Sequence, residues 1–201
     1  MDTPTSLGRS LELTGQLPND VPRFFARCGH AHTAAHSAQV AAQAGRLAER
    51  FGVSMPRAKA AGWLHDVSAV IPNEKRVRVA LDYGIEVLPE EEKLPMIVHQ
   101  KLSARLAHDL FGVADADVLS AVGCHTTLKA DASPLDKVVF VADKIAWDQE
   151  GKPPYLTELA AALDGSLDRA AFVYLDYLWT RRHTLPVLHP WVAAAHRQLQ
   201  R

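Results

Sequence analysis

Apolar residues recur at helical spacing along nearly the whole chain. Between 31 and 51, Val40, Ala44, Leu47 and Phe51 fall three and four apart and Gly52 follows, which predicts a long amphipathic helix with a glycine stop. A second helix is predicted from Pro56, capped by Ser54, through Ala61, Trp63 and Leu64 to His65 and Asp66. Further helices are read over 73–83, closing on Gly84, and over 98–111, closing on Gly112, with a charged, proline-flanked connection at 90–95 between them. Asp115 or Asp117 can cap the next helix, which carries Val118, Leu119 and Val122 up to His125. Ser133-Pro134 opens another that runs to Trp147. Its apolar stretch 138–142 reads as buried helix rather than strand, because it continues a periodic segment without turn signals. Residues 148–154 are a loop by composition, and two or three helices follow at about 155–164, 167–183 and 190–200. The fold class expected is all-α, one domain over 1–201 with its motifs in 30–150.

Size and composition narrow this little further. A chain of 201 residues, 48% hydrophobic and 22% charged, is long enough to bury a substantial core and is ordinary for a soluble protein. Net charge is −1, with Lys and Arg dispersed, which argues against a nucleic-acid-binding face; small anionic substrates need only a local cluster of cations. Cys28 and Cys124 form no C-x-x-C pair, so a reducing cytoplasm is expected. The first twenty residues lack the basic and apolar regions of a secretory signal. No run approaches the roughly 20 apolar residues a membrane helix needs, so no membrane partner is expected.

The chemistry lies in six side chains in one order: His36, the adjacent pair His65-Asp66, His99, His125 and Asp143, each on or near a predicted helix. Imidazole nitrogen and carboxylate oxygen suit iron, manganese, zinc and similar divalent ions, and the lack of thiolate clusters argues against a structural zinc site. Neighbouring residues on a helix point about 100° apart, so His65 and Asp66 reach one metal together only at a helix end, or across a metal pair that Asp66 bridges. Asp143 follows the apolar stretch 138–142, and a carboxylate there is expensive to bury unless paired or metal-bound. His32 lies four residues before His36 on the same helix face, as a candidate facing substrate. His30, His108, His183, His189 and His196 show no partner pattern.

The segments HSAQVAAQAGRLAERFG, AAGWLHDVSA, VHQKLSARLA, CHTTLK and VVFVADKI resemble, in order and spacing, the HD-domain superfamily. Within it they are similar to the YqeK-type branch, bacterial symmetrical diadenosine tetraphosphate hydrolases. The intervals of 29 residues from His36 to His65, 26 from His99 to His125 and 18 from His125 to Asp143 fit that branch. The resemblance implies a helical bundle around a metal centre of two ions, iron foremost and manganese as an alternative. His36, His65, Asp66 and Asp143 would hold one ion, and Asp66 would bridge to a second on His99 and His125. It also implies hydrolysis of nucleoside polyphosphates at a water activated between the ions, diadenosine tetraphosphate giving two ADP, with Asp66 and His65 central to catalysis.

Two other functions fit the same residues: an HD nucleotidase or phosphatase acting on mononucleotides, and a non-catalytic nucleotide-binding regulator. Family members usually carry a basic residue where this chain has Thr33, and Lys where it has Ala69. Substitute phosphate contacts are sought in Lys101, Lys129 and Lys144, and in the hydroxyl of Thr126. The C-terminal run AAFVYLDYLWTRR is apolar on more than one side, as a buried helix or a homodimer contact would be.

Overall fold

A computed structural model describes residues 12–147 and 150–200; residues 1–11, 148 and 149, on which part of the N-terminal reading and part of the 148–154 loop fall, lie outside them. The described residues form eleven α-helices and no strand. In chain order these are α1 (Leu17–Arg27), α2 (Ala31–Arg50), α3 (Met55–Leu64), α4 (Arg76–Asp82), α5 (Pro89–Lys93), α6 (His99–Asp109), α7 (Ala116–Cys124), α8 (Pro134–Ile145), α9 (Leu156–Leu163), α10 (Leu167–Thr180) and α11 (Pro190–Leu199). Single 3₁₀ turns at Val67–Val70, Asn73–Lys75 and Pro95–Val98 join α3 to α4 and lead into α6. None of these helices is long and apolar enough to cross a membrane.

Local chemistry sets most of the boundaries. Gly52 and Gly112, both at φ +67°, end the α2 and α6 segments in a conformation other residues rarely adopt. Asp115, rather than Asp117, caps α7 by accepting from the N–H groups of Asp117 and Val118. Ser133 and Asp136 form a reciprocal capping box at the start of α8 behind Pro134. Ser54 stands at the N-cap of α3 without a side-chain bond to the helix.

Helix α2 packs on α3 and α8, α7 packs on α3, α6 and α8, and α10 closes over α8 with α9 and α11 beside it. The apolar run of α8, Val138 to Ala142, is fully buried and is helix as expected. One hydrophobic cluster extends from Val21 and Phe25 through Val40, Leu64, Leu102 and Phe140 to Leu175 and Ala195. At Gly62 the α2–α3 contact is so close that a Cβ there would meet the Ala41 backbone at 2.6 Å.

Two elements depart from the sequence reading. Helix α1 was not expected, because Pro18 and Pro22 interrupt the pattern; burial of Val21, Phe24 and Phe25 overrides that local preference. The 90–95 connection contains a short helix, and Glu91 within it is buried. Both cysteines are free thiols.

Candidate metal centre

The six expected donors come from five separate places in the fold, and the packing of α2, α3, α6, α7 and α8 gathers them at one point. His36 lies in the second turn of α2, and His65 is the residue that ends α3. Asp66 has already left the helix, at φ −111° and ψ 14°. The chain therefore turns between the two residues, and both side chains face the same space despite being neighbours. His99 opens α6, His125 ends α7, and Asp143 sits in the last turn of α8. Four imidazoles form an edge-to-face series: His36 to His65 at 5.1 Å, His65 to His125 at 4.9 Å, and His125 to His99 at 4.9 Å between centroids.

Three of the rings are oriented by one device. Nδ1 of His65 donates to the Gly62 carbonyl at 2.8 Å, Nδ1 of His125 to Val122 at 2.8 Å, and Nδ1 of His99 to Met96 at 2.5 Å. In each case the acceptor is the carbonyl three residues earlier. A carbonyl has no proton to give, so Nδ1 carries the hydrogen and the neutral ring turns the Nε2 lone pair inward.

With these three rings so oriented, their Nε2 atoms and the carboxylate oxygens that converge there are acceptors, while His36 Nε2 hydrogen-bonds Asp143. Asp66 Oδ1 lies 3.1 Å from His99 Nε2 and 3.5 Å from His125 Nε2, while its Oδ2 lies 3.4 Å from His65 Nε2. Asp143 Oδ1 lies 3.2 Å from His36 Nε2 and 3.6 Å from His65 Nε2. His99 and His125 bring their Nε2 atoms within 2.9 Å of each other. His65 Nε2 is wholly buried and makes no hydrogen bond. Lone pairs this close repel unless a cation lies among them, and a buried imidazole nitrogen without a partner is the signature of a ligand position. The donor atoms form two groups, His36–His65–Asp66 and Asp66–His99–His125, with Asp66 common to both. Nitrogen and oxygen donors without thiolate fit a divalent transition ion.

Both carboxylates are held in the anionic form a metal ligand needs. Burial pushes the Asp66 carboxyl upward, yet positive charge on His65 and hydrogen bonds from His125 and His99, the part a bound cation would take over once their Nε2 lone pairs face it, hold the group well below the usual carboxylate range. Asp143 is likewise held far down against its burial, first by the Lys144 ammonium and then by His36. Burial lowers His125 to about 4, overcoming the opposing pull of Asp66, so its ring is neutral at physiological pH.

The positions expected to meet substrate are placed differently from one another. Thr126 borders the donors, its hydroxyl 3.1 Å from His125 Nε2 and 3.2 Å from His99 Nε2. The Lys144 ammonium sits 2.6 Å from Asp143 Oδ2 and 3.3 Å from the His125 carbonyl, which leaves Asp143 Oδ1 for the imidazoles. The Lys101 ammonium is taken up by Glu91 at 2.8 Å and the Glu86 carbonyl at 2.9 Å, over the Trp191 ring. Lys129 donates to Ser120 at 2.7 Å. His32 is exposed on the first turn of α2.

Several residues that shape the centre escaped the sequence reading. Gln100, buried beside His99, accepts from the N–H groups of Thr126 and Thr127 and donates to the Thr127 hydroxyl, which joins α6 to the turn after His125. Ser68 binds the His99 carbonyl at 2.8 Å and Ser103 at 2.9 Å. Arg76 is within electrostatic reach of Asp66, and its guanidinium contacts the Ile71 and Met96 carbonyls at 3.1 and 3.4 Å. Of the histidines without a sequence partner, His189 is buried against Glu91 at 3.3 Å and His196 against Asp176 at 2.9 Å. A buried polar residue inside an apolar helical stripe was the available signal for Gln100; nothing in the pattern marks Arg76.

Fold and donors together define an all-helical protein with a histidine- and aspartate-lined centre able to hold metal. The HD-domain family model matches residues 33–148, a span that holds all six donors and more than half of the chain, and the chain belongs to that family of hydrolases. It is 43% identical over 148 residues to an uncharacterized protein in the pepC 5′ region of Lactococcus lactis subsp. cremoris, covering 74% of this chain and 75% of that one. It is 32% identical over 116 residues to the symmetrical bis(5′-nucleosyl)-tetraphosphatase of Bacillus subtilis (strain 168), covering 57% and 61%. A crystal structure of a predicted HD superfamily hydrolase involved in NAD metabolism, from Clostridium acetobutylicum, superposes with a TM-score of 0.81 at 26% identity over 90% of this chain and 95% of that one.

Proposed function

We propose that this chain hydrolyses nucleoside polyphosphates, cleaving diadenosine tetraphosphate symmetrically into two ADP. The observation that carries the reading is Asp66, whose two oxygens are directed to different histidine groups, Oδ2 to His65 and Oδ1 to His99 and His125. A carboxylate so shared is the natural bridge of a two-ion site, with His36, His65 and Asp143 on one side and His99 and His125 on the other. Iron or manganese suits these donors. Two ions there would supply a water of lowered pKa and neutralise charge on the attacked phosphate. The name of the Bacillus subtilis relative supports the substrate; the geometry supports the reaction class.

In the reaction proposed, water oxygen bonds to one of the two inner phosphorus atoms while the bridging oxygen between them departs with the other half. The water proton not retained on the new phosphate passes to solvent. The residues of the chain hold and orient. Lys144 fixes Asp143 by one oxygen, and the Thr126 hydroxyl at the rim donates to a phosphate oxygen. Arg76, half-buried and within electrostatic reach of Asp66, gives the phosphate chain a cation.

The test is product analysis: the protein, its metals counted, is incubated with diadenosine tetraphosphate and separately with mononucleotides. ADP as sole product supports symmetrical cleavage. ATP plus AMP places attack elsewhere on the chain, and consumption of mononucleotides alone makes the protein a nucleotidase.

A further inference from the structure

Beside the donor cluster lies a cavity of about 180 Å³ that no step above uses. Its walls are Leu94, Ile97, Thr126, Tyr174 and Leu178, closed on the outside by residues 185–188. Two of these walls are continuous with the metal centre along the chain. Ile97 lies in the 3₁₀ turn that runs into His99, and Thr126 directly follows His125 with its hydroxyl against both Nε2 atoms. A third wall adjoins Asp143: the Lys144 ammonium that binds its carboxylate lies 5.1 Å from the centre of the Tyr174 ring.

The outer wall is held in place. The segment 185–188 links α10 to α11 and has no helical bonds of its own. At its end, His189 is buried against Glu91 at 3.3 Å, and Trp191 covers the Lys101 ammonium, itself 2.8 Å from the same carboxylate. Glu91, wholly buried, thus ties α5, α6 and the C-terminal segment together. This accounts for a lysine and a histidine that the metal chemistry leaves unused.

Size and lining choose the occupant. The volume is below the 300 Å³ or more of pockets that enclose whole drug-sized ligands, but it suits one flat ring system. Aliphatic side chains with one tyrosine ring favour a heteroaromatic group, and of the polar residues in the lining, Thr126, Thr127 and His189 beside Tyr174, it is Thr126 whose hydroxyl lies against the donor atoms, on the side of the phosphate site. We infer that this cavity receives the base of the nucleotide whose phosphates lie at the Asp66 centre. The inference rests on the reading of that centre as a nucleotide phosphate site.

Binding separates the two ideas. Calorimetry on the metal-loaded protein compares ADP with pyrophosphate, which share the phosphates and differ in the nucleoside. Wild type is expected to bind ADP at least tenfold more tightly. Val187→Trp, in the linking segment, and Leu178→Trp, on α10, fill the cavity and should abolish that margin while leaving pyrophosphate affinity and metal content unchanged. Val187→Trp alters a partly exposed position outside any helix, and so tests the idea even where Leu178→Trp lowers stability. Equal affinity of wild type for ADP and pyrophosphate, or a margin that survives in the folded variants, overturns the base site. Failure to cleave diadenosine tetraphosphate, with the ADP margin intact and lost in the variants, overturns the proposed reaction and leaves the base site standing.

Discussion

The hydroxyl of Ser68 donates to the main-chain carbonyl of His99 at 2.8 Å. Ser68 lies two residues after Asp66, so this bond, with those to Ser103, ties the turn that carries the shared carboxylate to the residue that supplies the first imidazole of the second donor group. Ser68→Ala removes the donor from a buried site and is expected to destabilise the fold by about 1–2 kcal/mol. Misalignment of His99 should also lower metal affinity or turnover by roughly 10–100-fold. Metal content per chain and kcat, measured beside thermal stability, check this; a variant merely less stable but fully active would leave Ser68 a packing residue.

Asp66→Ala should lose both metal and activity, because no neighbouring carboxylate can serve both histidine groups. His99→Ala should retain metal at the His36–His65 side and lose most turnover. Elemental analysis of the two proteins separates a shared centre from a single-ion one. Unchanged activity in His99→Ala would rule out the two-ion reading.

Arg76→Ala is expected to raise KM by about tenfold, the effect of losing one charge-assisted contact to phosphate, with metal content unaltered. Arg76→Lys should recover part of it. If KM holds and only stability falls, the guanidinium serves the Ile71 and Met96 carbonyls alone.

Gly62→Ala sets a methyl group against the Ala41 backbone, which cannot move aside as a side-chain tip would. The expected loss is about 1–3 kcal/mol, read as a lower Tm. Since α3 ends in His65 and α2 carries His36, the forced separation should weaken metal binding as well.

Acid should act through Glu91. Burial pushes its carboxyl up from 4.5, but His189, the Leu88 N–H and Lys101 together hold it below that value. Its folded-state pKa is thus lower than the unfolded one. Its stabilising contribution is complete above about pH 4.5 and disappears as pH falls through the folded value. Glu91→Gln should therefore be less stable than wild type at neutral pH, with the gap narrowing on acidification. Denaturant titrations at several pH values would show whether the two curves converge.

Much of this architecture is legible in the chain, and for physical reasons. Periodicity with glycine stops marks α2 and α6 because both are amphipathic and end in left-handed residues. The donor set is legible because charged and imidazole groups inside apolar runs, as at Leu64-His65-Asp66 and Ala142-Asp143, demand a partner. Helix α1 is not, since two prolines mask three buried apolar residues whose value depends on tertiary packing. The lysines are the instructive case. A cation near a ligand in sequence is a reasonable phosphate contact, yet Lys101 is drawn to Glu91, ten residues away, and Lys144 to its neighbour Asp143. Arg76 gives no signal, because the two 3₁₀ turns between it and Asp66 bring it back in a way that no periodicity encodes.

Because His65, His99 and His125 each spend their Nδ1 proton on a carbonyl of their own chain, the tautomer of the centre is settled by folding rather than by what binds there. Loading such a site asks for no change of tautomer at these rings, and His125, lowered by burial to about 4, has no proton to release at neutral pH. Rings fixed in this way offer the same nitrogen lone pairs to any divalent ion, so the imidazoles by themselves do not choose among iron, manganese and their like.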